Sequence, residues 1–162
     1  MTLDPLLNAP FVIQLHAASA IAASLIGPFA IWRKTRDIWH RLAGALWIVL
    51  MLTVATSALF IHTIQLIGPF SPIHLLSGLV YYSLFVAIRH VTAGRYLAHG
   101  LAMRSLYLQS LGIAGLFALS PGRIMHNIFF GDNMPMGLAV MAILAVGLVI
   151  LLRSKPRLQF LR

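Results

Sequence analysis

The chain has no cysteine and no glutamate, and its three acidic residues are the aspartates Asp4, Asp37 and Asp132. Without cysteine there is no disulfide, iron–sulfur cluster, thiolate zinc site or covalently attached haem. Without glutamate, and with each aspartate in an expected loop, paired-carboxylate catalysis and an acidic proton relay across a membrane lack their groups. Charge of either sign is scarce: 9% of the 162 residues are charged and 60% are hydrophobic. So few charges do not cover the surface of a soluble domain of this size. The apolar residues instead fall in runs long enough to cross a bilayer, in keeping with a mean hydropathy of +0.90.

What charge there is carries one sign, with 12 Lys and Arg giving a net +9. A nucleic-acid surface would spread those cations along a soluble face. Here they sit between and after apolar runs, so nucleic acid is excluded and the lipid bilayer is the expected partner.

The pattern predicts an all-α, polytopic membrane bundle of five transmembrane helices, at about 10–32, 43–67, 73–90, 105–119 and 134–152. They form a single integral membrane domain over 1–162, with a basic tail at 153–162. Gly68-Pro69 and Pro121-Gly122 stop the second and fourth helices, and a short interfacial turn is expected at 128–130. The opening MTLDPLLNAP has no basic residue, unlike a secretory signal, so the first run is read as a retained helix. Apart from Arg123, every Lys and Arg lies after the first helix, after the third, or at the tail. The positive-inside rule then places the N-terminus outside and the C-terminus in the cytoplasm, as a multi-pass protein of the inner membrane. Trp32, Trp39, Trp47 and Tyr96 suit an aromatic belt at the inner boundary.

Chemistry is left to seven histidines. His16, His62 and His74 fall near the outer helix ends and His126 in the outer loop. His40, His90 and His99 fall at the inner boundary. The two layers are about 20–30 Å apart at helical rise. Haem b takes an axial ligand on each face, commonly two histidines from facing helices, with small residues making room for the ring. The expected pairs are His16 with His74 outside and His40 with His99 inside. Ala20, Ala23 and Gly27 share the face of His16, Gly78 follows His74 and Gly44 follows His40. Arg41, Arg95 and Arg104 would hold inner propionates by charge-assisted bonds, and Arg123 an outer one. His90 and His126 read as headgroup anchors, and His62 as an interhelical contact. An imidazole site for zinc or copper would suit His16, His62 and His74 instead. Tyr81 and Tyr82 could line a quinone or lipid cleft. In the competing reading the histidines are structural, and the protein is a non-enzymatic accessory subunit or small-solute carrier. The small-residue face of the first helix and the Gly112/Gly115 pair would then dock a partner. No Ser-His-Asp arrangement or phosphate-cradling loop is visible, so whether the chain is an enzyme stays open.

Three segments carry a resemblance: GPFSPIHLLS (68–77), H-x-x-x-M-R from His99 to Arg104, and IAGLF…PGRIMH…FFG (113–131). With LHAASA…GPFAIW and HRLAG, they resemble bacterial membrane proteins of the family named domain of unknown function 2306. The likeness covers about residues 12–131 and leaves the fifth helix unmatched. It implies a polytopic membrane fold, and the family name carries no activity. After His99 the family's usual wording is basic, whereas Gly100-Leu101-Ala102 stands here. Separately, pairing helix one with three and two with four is similar in arrangement to diheme b-type cytochromes. That analogy implies electron transfer across or within the membrane, with quinone or another membrane redox protein as partner.

Overall fold

The structure, a computed structural model, describes residues 3–33, 35–61 and 72–154. The expectations for His62, for the Gly68-Pro69 stop and for most of the basic tail lie outside these residues. The helices are α1 (Asp4–Leu7), α2 (Phe11–Trp32), α3 (Ile38–Ala58), α4 (Pro72–Thr92), α5 (Tyr96–Ala118), α6 (Ile124–Phe130) and α7 (Met134–Arg153). Among the described residues there is no strand. Helices α2, α3, α4, α5 and α7 are each long and apolar enough to cross a membrane, so the all-α five-span architecture expected from the sequence is present.

Three boundaries differ from expectation, each for a local reason. Helix α3 starts at Ile38, not near 43, because Asp37 caps it: its carboxylate accepts from the His40 backbone N–H at 3.1 Å. It ends at Ala58 in a turn through Leu59 and Phe60, well short of 67. Helix α5 starts at Tyr96 instead of 105, since Gly94, at φ 71°, reverses the chain directly after α4. His99 therefore lies in the first turn of a helix. The interfacial turn near 128–130 is a full short helix, α6.

Helix α2 packs along α3, α3 against α4, and α4 against α5, while α5 returns to α2; α7 leans on α5 from outside. The first four spans thus form a ring in which α2 and α4, and α3 and α5, are diagonal partners. Its interior is filled by Ala23 of α2, Trp47, Met51 and Ala55 of α3, Val80, Leu84 and Ala87 of α4, and Met103 and Leu106 of α5.

Pro28 organises one side of this core. It has no N–H to give the Ser24 carbonyl, and an unsatisfied carbonyl inside a membrane is costly. Tyr107 of α5 supplies the donor, its hydroxyl lying 2.9 Å from the Ser24 oxygen. One residue back, the Trp47 indole N–H donates to the Ala23 carbonyl at 3.0 Å. Both rings reach the backbone because residue 27 is glycine: a Cβ there would lie 2.4 Å from Tyr107 Cε2 and 2.8 Å from Trp47 Nε1. Trp32 closes the cluster edge-on against Tyr107, 5.5 Å between centroids. From Tyr107 to Gly112 the helix widens to π geometry, which accommodates one extra residue.

Helix α7 is held at three places along its length. The Gly137 backbone faces the His126 ring, Leu148 sits over Gly112, and Arg104 caps the C-terminal end. Reporters fused after Arg162 and inserted at Asn133 should lie on opposite sides of the membrane, the first inside. Activity of both on the same side would show that α7 does not span.

Candidate functional site

Each of five histidines bonds a backbone carbonyl of a neighbouring helix or of the residue that ends it. His40 Nδ1 lies 3.0 Å from the Ala30 oxygen, His74 Nε2 3.0 Å from Leu59, His99 Nδ1 2.9 Å from Ala87, and His126 Nδ1 2.9 Å from Leu119. His16 Nδ1 lies 3.1 Å from the Val54 oxygen and 3.0 Å from the Ser57 hydroxyl. Ala30, Leu59 and Leu119 lie at helix ends, where the last carbonyls have no intrahelical donor, and His40, His74 and His126 reach them from early in the next helix; Val54 and Ala87 lie further inside their helices. A carbonyl only accepts, so the ring nitrogen facing it carries the proton, which sets the tautomer. For His16, His40, His99 and His126 the unprotonated nitrogen is then Nε2.

The ends of the bundle bring the expected pairs to matching depths. His16 of α2 and His74 of α4 both bond the last residues of α3 or its cap, so they flank one helix end from diagonal positions. Each ring bonds α3 or its cap. At the opposite end, His40 of α3 bonds Ala30 near the end of α2 and His99 of α5 bonds Ala87 near the end of α4, so the two imidazoles stand at the same end of the bundle. A Cβ at Gly44 or at Gly78 would meet nothing within 4 Å among the described residues.

Other expectations are corrected. Ala23 and Gly27 do not leave room for a macrocycle, because the Trp47 indole and the Tyr107 phenol occupy that face. The small-residue stripe of α2 (Ala17, Ser19, Ala23, Gly27 and Ala30) is buried within the chain, and Gly112 is covered by Leu148. Those buried residues are not free to dock a partner, whereas a Cβ at Gly115 would meet nothing within 4 Å among the described residues, so Gly115 stays open. His126 is no headgroup anchor: it is 3% exposed, packs on Phe130 at 5.3 Å, and faces the Gly137 backbone. The signal was the i, i+4 spacing of His126 and Phe130 once 124–130 is helical. Arg104 faces α7, where its Nη2 donates to Ser154 Oγ at 2.7 Å and to the Leu151 carbonyl at 3.0 Å, as a cation capping a helix C-terminus does. Its Nε is buried without a partner, as are His90 Nδ1 and Ser110 Oγ.

Arg41 is exposed in the first turn of α3 and Arg95 immediately precedes α5. Arg123 lies over the Phe117 ring at 4.5 Å. Tyr81 bonds Thr56 across the α3–α4 contact at 2.8 Å, and Tyr81 and Tyr82 are both exposed. A groove of about 440 Å³ runs between α2 and α3, lined by Phe11, Leu15, Leu52, Thr53 and Ser57 among others. Among the described residues no three His or Asp side chains converge as a metal cluster; the trio with His62 lies partly outside them.

Asp37 is bound by the Arg33 guanidinium, Nε to Oδ1 at 2.9 Å. That bond holds its carboxyl well below the usual carboxylate range.

A family model described as a predicted membrane protein matches residues 13–154. The chain belongs to the DUF2306 family. The match runs through α7, so the last span of this DUF2306 protein is part of the family's common body and not an unmatched addition. No curated protein and no solved structure matches the chain.

Proposed function

We propose that this DUF2306 protein is a multi-pass protein of the cytoplasmic membrane that holds haem b by paired histidines and carries electrons within or across the bilayer. Quinone or another membrane redox protein would exchange the electrons. The observation behind the reading is that His16 and His74 bond one end of α3 from helices diagonal to each other, and that His40 and His99, on the other diagonal, bond carbonyls at the opposite end. Ligating histidines commonly donate their other ring N–H to a backbone carbonyl, and His16, His40 and His99 already do so through Nδ1. His74 presents Nε2 to Leu59, so ligation through that atom needs its ring turned over. The haem would supply one-electron chemistry; the chain would orient the imidazoles, exclude water through its packed middle, and offer Arg41 and Arg123 to propionates. Arg104 is less suited, being committed to α7.

A second reading has its own support. Every one of these imidazoles already has a carbonyl partner, which accounts for it as a clasp between helices in an accessory subunit or carrier. An absorption spectrum of detergent-purified protein separates the two. Protein from haem-replete cells should show a Soret band that shifts on dithionite reduction. A colourless preparation would sink the haem reading, and a stoichiometric co-purifying partner would then favour the second.

A further inference from the structure

The end of the bundle where α3 and α5 begin carries cations that no described residue balances. Among the described residues the one ion pair is Arg33–Asp37, which cancels the carboxylate present there. Arg36, Arg41 and Arg95 are exposed and make no hydrogen bond or ion pair through their side chains among the described residues. Arg36 nevertheless has a fixed place: its guanidinium stacks on the Tyr96 ring at 4.9 Å. The stack ties the α2–α3 connection to the α4–α5 connection, holding Arg36 close to Arg95, the neighbour of Tyr96. A stacked guanidinium keeps its N–H edges available, and that fork matches phosphate oxygens.

We infer that this end holds the headgroup of an anionic phospholipid, with Arg36, stacked on Tyr96, and the adjacent Arg95 as the phosphate site. Two features select a lipid over a free anion. The cations lie at the ends of membrane-crossing helices, at headgroup depth. Just beyond them, Trp39 and Leu42 of α3 and Leu97 and Leu101 of α5 are exposed apolar side chains on which acyl chains can lie. The inference does not rest on the haem reading.

Native mass spectrometry of the delipidated protein in detergent, titrated with phosphatidylglycerol or phosphatidylcholine, tests it. Phosphatidylglycerol should bind at least about tenfold more tightly. Arg36→Gln and Arg95→Gln should each weaken it about fivefold, since each cation near an anionic headgroup counts by roughly that factor. Arg36→Lys, which keeps the charge and loses the stacked fork, should fall between. Circular dichroism confirms folding, and if Arg36→Gln fails to fold, the exposed Arg95→Gln reads the site alone. Equal binding of the two lipids, or Arg variants that bind like wild type, would overturn the inference. Displacement of phosphatidylglycerol by millimolar inorganic phosphate would also overturn it, assigning the cations to a free anion.

Discussion

Gly27→Val should leave little folded protein. The first added carbon would sit 2.4 Å from Tyr107 Cε2, 2.6 Å from Cδ2 and 2.8 Å from Trp47 Nε1, with ring atoms on one side and the α2 backbone on the other. Neither ring can retreat cheaply, because each is held by a bond to an α2 carbonyl. Moving them forfeits both bonds and exposes the Ser24 carbonyl that Pro28 leaves without a donor. Overpacking costs about 1–3 kcal/mol and each lost interhelical bond about 1 kcal/mol more, so a total of roughly 3–5 kcal/mol is expected. Gly44→Val is the comparison, since nothing lies within 4 Å of its would-be Cβ; it should change stability by less than about 1 kcal/mol. Thermal unfolding in detergent reads both. If the two variants melt alike, the close approach at Gly27 is wrong.

The largest functional effect is expected at the end shared by His16 and His74. Alanine removes both the proposed ligand and the clasp, so it cannot tell the two apart. Asparagine at 16 places an amide N–H near the position of Nδ1, facing Val54, and glutamine at 74 places one near the position of Nε2, facing Leu59. Both substitutes keep the carbonyl bond, and neither replaces imidazole as an axial ligand of iron. On the proposed function, His16→Asn and His74→Gln each abolish one haem, with stability of the apoprotein held within about 1 kcal/mol. The double variant loses no more, because two ligands of one centre act as a unit. Pyridine haemochrome content against unfolding temperature gives the answer. Full haem in either single variant would break this pairing, and recovered stability with no haem in any protein, wild type included, would leave the clasp.

The spans were legible in the sequence because burial in lipid demands long apolar runs, and those runs are countable. Their ends were harder. Asp37 reads as a loop residue until its carboxylate is seen to cap α3, and the Tyr96 start of α5 was masked by a run whose His99 and Arg104 look like loop chemistry. The histidines were legible as two layers, since depth follows from position along a span. Their partners were not, because a backbone carbonyl leaves no mark in sequence. The same holds for Ala23 and Gly27, whose small size suits a bound ring and a neighbouring tryptophan equally well. Arg104 shows the reverse case: its charge was plain, and its commitment to the end of α7, some 50 residues later, could come only from the fold.

The widened turn at Tyr107–Gly112 has a consequence for how the two halves of α5 are aimed. One residue in an ordinary helix is worth about 100° of rotation, so the insertion acts as a phase shift along the span. Up to the turn's first residue the helix looks inward, with Met103 and Leu106 in the core and Tyr107 on the α2 backbone; at its last, Gly112 presents its bare backbone to Leu148. A continuous helix would have to give up one of those two appointments. The extra residue lets a single span serve as a wall of the ring and as the mooring of the helix outside it.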